Sequence, residues 1–61
     1  MSKLYALVVE AYQNALDNGY DMNALTSEEV AEDMCSFDAA VEEYSYEEIL
    51  ACVKTYRMED K

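Results

Sequence analysis

Proline, histidine and tryptophan are absent from this chain, and glycine occurs once. With no proline and a single glycine, little in the sequence interrupts a helix, so long helices joined by short connections are expected. The missing histidine and the scarcity of glycine also remove most catalytic vocabulary. There is no Gly-x-Ser-x-Gly elbow, no glycine-rich phosphate cradle and no imidazole to activate Cys35 as a nucleophile. Two cysteines without histidine are too few soft ligands for a zinc site. Long apolar runs are missing too: the stretch opening "MSKLYALVV" meets Glu10 well short of membrane-spanning length, and no small-residue cleavage site follows. Cys35 and Cys52 then read as reduced core thiols in a soluble, cytoplasmic protein.

Positive charge is the other scarce commodity. Four Lys and Arg stand against fourteen Asp and Glu, for a net charge of −10. Lys3 and Lys54 bracket a stretch with no basic residue, and twelve of the carboxylates lie between Glu10 and Glu48. Such a field repels nucleic acid and anionic membranes and attracts basic surfaces. Direct nucleic-acid binding lacks the Lys and Arg contacts it needs, and neither it nor membrane binding is expected.

What is present is apolar and aromatic. A hydrophobic fraction of 52%, with six Tyr and one Phe, sets the chain apart from disordered acidic tails. Sixty-one residues make a single helical domain, 1–61, near the lower limit for a self-sufficient core. An all-α, small three-helix bundle is expected. The first helix, about 3–18, carries Leu4, Leu7, Val8, Ala11, Tyr12 and Ala15 at helical spacing, with Tyr5, Val9 and Leu16 widening the stripe to a second face. Gly19 ends it as a left-handed residue.

The next two helices share a start signal. "LTSEEV" at 25–30 and "YSYEEI" at 44–49 each place a hydroxyl three residues before a glutamate and bracket that pair with apolar residues. Thr26 with Glu29, and Ser45 with Glu48, are capping boxes; Leu25 with Val30, and Tyr44 with Ile49, are hydrophobic staples. Glu28 and Glu47 fall in first turns, where the helix dipole favours anions. The second helix is placed at 27–36, with Val30, Ala31 and Met34 inward. Ser36 and Asp38 compete for backbone hydrogen bonds, so a break followed by a single-turn segment is favoured over continuation to 43. The third helix, about 46–58, is expected to bury Tyr46, Ile49, Leu50, Val53 and Tyr56, with Arg57 and Lys61 near its negative end.

Site motifs mostly fail on inspection. "DNGYDMNALTSE" at 17–28 has the length of a calcium loop, but its sharp-turn glycine position holds Met22, its third position holds Gly19, and the cap Thr26 lies inside it. The Asp-Ser-Leu attachment site of acyl carrier proteins is absent. Paired glutamates on exposed faces of so short a chain do not make a catalytic cleft. No enzyme activity and no cofactor or metal are expected.

Surface character remains. Glu28 with Glu32 and Glu29 with Asp33 are like-charge pairs one turn apart, each destabilising an isolated helix by a few tenths of a kcal/mol. Tyr beside carboxylates is the composition of interfaces facing Arg-rich partners. The candidate partner-binding residues are Glu28, Glu29, Glu32, Asp33, Glu42, Glu43, Tyr44, Tyr46, Glu47 and Glu48.

In length and charge the chain resembles the small acidic proteins that phages and mobile elements direct against host systems, the anti-CRISPR and DNA-mimic inhibitors. That resemblance implies a protein-binding inhibitor that blocks a basic, nucleic-acid-binding surface of a host protein in the host cytosol. The alternative is a helical assembly module, a homodimer formed through Tyr5, Val9 and Leu16 of the first helix, whose charge only provides solubility.

Overall fold

A computed structural model describes residues 2–59. Three α-helices run α1 Lys3–Asp17, α2 Ser27–Phe37 and α3 Tyr46–Arg57, with short 3₁₀ turns at Met22–Ala24 and Ala39–Val41. The expected all-α three-helix bundle is what forms.

Local chemistry accounts for each boundary. Ser2 caps α1 by accepting from the Tyr5 amide at 3.1 Å, a start signal that sequence reasoning passed over. At the other end Gly19 adopts φ +80°, and the Tyr20 and Gly19 amides return to the Ala15 and Leu16 carbonyls at 2.8 and 2.9 Å. Both capping boxes form. Thr26 accepts from the Glu29 amide at 3.1 Å while Glu29 accepts from the Thr26 amide at 2.9 Å. Ser45 and Glu48 repeat the exchange at 3.2 and 2.9 Å. The staple residues Leu25 and Tyr44 pack against the core that contains Val30 and Ile49.

The path of 36–44 follows the favoured reading. α2 stops at Phe37 because the Asp38 carboxylate takes the Ala40 amide at 3.0 Å and starts a 3₁₀ turn, which drives Val41 into the core. α3 closes on Met58, held left-handed at φ 62°. The Glu59 amide then folds back onto the Lys54 carbonyl at 2.8 Å.

The core is Leu4, Val8, Tyr12, Met22, Val30, Ala31, Met34, Val41, Ile49 and Val53. Full burial of each Val, Leu, Ile or Met contributes about 1.5–3 kcal/mol. Of the five residues expected to be buried by α3, only Ile49 and Val53 are interior; Tyr46, Leu50 and Tyr56 are half-buried, because a chain this short cannot cover three aromatic or aliphatic flanks at once. The cysteine expectation is half right. Both thiols are free, but Cys35 is exposed on the outer side of α2 rather than in the core, since the inward positions of that helix are Ser27, Val30, Ala31 and Met34. Cys52 is half-buried, and desolvation raises its pKa against the opposing hydrogen bond from Ser2.

The helices are not packed symmetrically. α3 lies against both α1 and α2, whereas α1 and α2 meet only sparsely and are bridged by the turn carrying Val41. On the α3 side of α1, Tyr56 meets Tyr12 at a centroid distance of 4.6 Å and Tyr5 edge-on at 6.0 Å. Arg57 closes the last turn of α3, near its negative end as expected. Its guanidinium also turns inward: Nη1 donates to the Leu25 carbonyl at 2.8 Å and approaches the Tyr12 hydroxyl at 3.5 Å, while Nε pairs with Glu59 at 3.2 Å. Glu59 in turn accepts from the buried hydroxyl of Ser27. Lys61, the other cation assigned to that end, lies outside the described residues.

Candidate interaction surface

Two acidic surfaces flank α2. The first spans the seam between α2 and α3. Tyr46 opens α3 and is half-buried; partial desolvation, followed by the carboxylates of Glu32, Glu28 and Glu47, raises its phenol pKa. Glu32, Glu28 and Glu47 are the carboxylates whose charge acts on that phenol, and with Tyr46 they make up an acidic ridge. Glu28 and Glu47 are there because both helices begin with the same cap, which puts an acidic residue in each first turn.

The other candidates are placed differently. Glu29 and Glu48 are exposed, but each has one carboxylate oxygen held by its own capping box. Glu42 and Glu43 occupy the turn before α3; Glu43 faces Lys3 at 3.9 Å, an exposed pair that stabilises little. Tyr44 packs against the core and presents only part of its ring. Asp33, with Glu29 and Glu32, borders the opposite flank of α2.

That opposite flank was missed by sequence reasoning. A shallow hollow of about 410 Å³ lies beside Tyr20, Leu25 and Phe37, and a second of about 530 Å³ opens between α1 and α2. Tyr20, Asp33 and Phe37 border both, so the two are continuous. Phe37 is 83% exposed and Tyr20 47%. The signal was available for Phe37: with Val30 and Met34 it completes an i, i+4, i+7 series belonging to an inward stripe. It is exposed because α2 ends there and α1 does not close over it.

Asp21 of the calcium-like stretch accepts from the Asn23 amide at 2.9 Å and starts a 3₁₀ turn. Among the described residues no three His, Cys, Asp or Glu side chains converge in a metal-binding arrangement, and no helix is long and apolar enough to cross a membrane.

No family model, no curated protein and no solved structure matches this chain.

Proposed function

We propose that this protein is a non-enzymatic, acidic protein-binding inhibitor, which docks on a basic, nucleic-acid-binding surface of a host protein and blocks it, as anti-CRISPR and DNA-mimic proteins do. The observation that carries this reading is the ridge of Glu28, Glu32 and Glu47 around the half-buried Tyr46. Carboxylates steer a cationic partner into encounter, and a rigid aromatic among them supplies buried contact area. The carboxylates of the rest of the candidate set, Glu29, Asp33, Glu42, Glu43 and Glu48, add to the acidic field, and Tyr44 adds a second aromatic. Direct binding of nucleic acid or an anionic membrane is disfavoured by the net charge of −10.

The test is a pull-down from host-cell lysate with the native chain and with Glu28→Lys/Glu47→Lys, followed by competition against labelled DNA for the captured protein. Expected is capture lost in the variant while its helical circular dichroism is unchanged, and DNA displaced by the native chain. Capture that survives charge reversal, or DNA that stays bound, would sink the proposal.

A second reading, self-association through α1 with the charge serving only solubility, is favoured by Leu16, which is 53% exposed. Tyr5 stacks on Tyr56 within the chain and so contributes less to that face than Val9 and Leu16. Light scattering on the native chain and on Val9→Ser/Leu16→Ser decides it.

A further inference from the structure

We infer that the groove between α1 and α2 receives a basic amphipathic helix of a partner protein, with an apolar side chain of that helix seated beside Phe37 and Tyr20. This inference rests on the reading that the partner is basic, but it centres the contact on Phe37 and Tyr20 rather than on Tyr46, with Glu32 bordering both.

The groove exists because α3 packs against both other helices while α1 and α2 meet only sparsely. Its apolar lining comes from Ala11, Ala15, Met22, Met34 and Phe37, with asparagines and aspartates beside them. In helical register Phe37 belongs to the inward stripe of α2, yet it is 83% exposed. A helix laid along the groove would cover it and give α2 a neighbour on its open flank, as a fourth helix does in a bundle. Asp33 borders both hollows, Glu29 and Glu32 the one beside Leu25, and Asp38 the one between α1 and α2. Among the described residues no Lys or Arg lines either hollow.

Charge decides the occupant. A second copy of this chain would bring the same carboxylates face to face, and an anionic lipid or nucleic acid would be repelled. An apolar floor with an acidic rim fits a helix that is apolar on one face and Lys- or Arg-rich on its sides. Size agrees: a helix of roughly 16 residues is about 24 Å long at 1.5 Å per residue, and the molecule measures 28 × 27 × 21 Å.

The experiment uses a fluorescent synthetic helix of roughly that length, with Leu at i, i+3, i+4 and i+7 and Lys elsewhere. A scrambled peptide of equal composition is the control. Both are titrated by anisotropy against the native chain, Phe37→Ser, Asp33→Lys and the ridge variant Glu28→Lys/Glu47→Lys. Both groove variants are expected to weaken the amphipathic peptide by about tenfold or more, the size of an interface anchor. The ridge variant is expected to change it less than either groove variant, since neither Glu28 nor Glu47 lines a hollow. The scrambled peptide should bind the native chain at least about tenfold more weakly. Unchanged affinity in Phe37→Ser overturns the inference, as does equal binding of the scrambled peptide. Loss confined to the ridge variant overturns it while leaving the proposed docking ridge standing. Loss confined to the groove variants, with partner capture indifferent to ridge reversal, supports the groove and removes the ridge. A dimer in solution that protects Phe37 assigns the groove to a second copy and also overturns it.

Discussion

The two sides of α1 are built on opposite principles. Toward α3 it is locked: Tyr12 and Tyr5 stack on Tyr56, and Arg57 joins the Leu25 carbonyl, Tyr12 and Glu59 in one cluster. Toward α2 it is open, with an aromatic side chain left standing over a hollow. Both sides are apolar and aromatic, so hydrophobicity alone does not separate them. The difference lies in polar closure. The locked side has a cation whose donors answer a carbonyl, a phenol and a carboxylate. The open side has carboxylates and no cation among the described residues. A small acidic chain has few positive charges to distribute, and this one directs its only inward-turned guanidinium to a single seam.

The comparison breaks most sharply at Arg57. Its side chain is 13% exposed, and Arg57→Met keeps the aliphatic packing while removing the charge-assisted bond to Leu25. Losing such a bond costs about 1.5–3 kcal/mol, which urea denaturation would resolve; a change below about 0.5 kcal/mol would show that the seam is held by the rings alone.

A smaller effect is expected in alkali. Burial raises the Tyr12 phenol above its ordinary 10.0, although Arg57 pulls it back through their hydrogen bond and charge. A phenol with a raised folded pKa stays protonated longer in the folded state than in the unfolded chain. Its contribution is therefore complete below about pH 10 and is lost as pH rises through the raised value. Stability should fall over that interval, and Tyr12→Phe should flatten the fall; an equal fall in Tyr12→Phe would assign it elsewhere.

The smallest effect is predicted on the open side. Phe37→Ser should alter stability by no more than about 0.5 kcal/mol, because the ring is exposed. A larger loss would mean that the groove side also carries the fold.

Much of this architecture is written in local sequence. Capping boxes, staples and the Gly19 stop each depend on residues within a few positions of one another, and so Thr26, Ser45 and Gly19 could be read before any packing was known. The break after Phe37 was legible for the same reason, since Asp38 competes for the backbone two residues on. What could not be read depends on contacts between residues far apart in the chain. Arg57 could be placed at the negative end of its own helix, but nothing near it in sequence shows Leu25 within reach. Phe37 drew no attention because the second helix was expected to end at Ser36, and the sparse meeting of α1 and α2 leaves it outside. Of the candidate site residues, Glu28, Glu32 and Glu47 are the carboxylates whose charge acts on Tyr46. Glu42 and Glu43 remain on a turn, and Tyr44 serves as a staple.

The Arg57 cluster also bears on the order of events during folding. Its bonds join residues 32 and 45 positions apart, from Arg57 to Leu25 and to Tyr12, and 32 apart from Ser27 to Glu59. The caps, by contrast, close over three. Chain closure over long separations is entropically costly and tends to come late. The cluster would then act as a latch set after the helices have met. In stopped-flow measurements its removal would steepen the escape from the native state and leave the approach to it nearly unchanged. The seam would thus govern how long a molecule stays folded, and the helix starts how quickly it gets there.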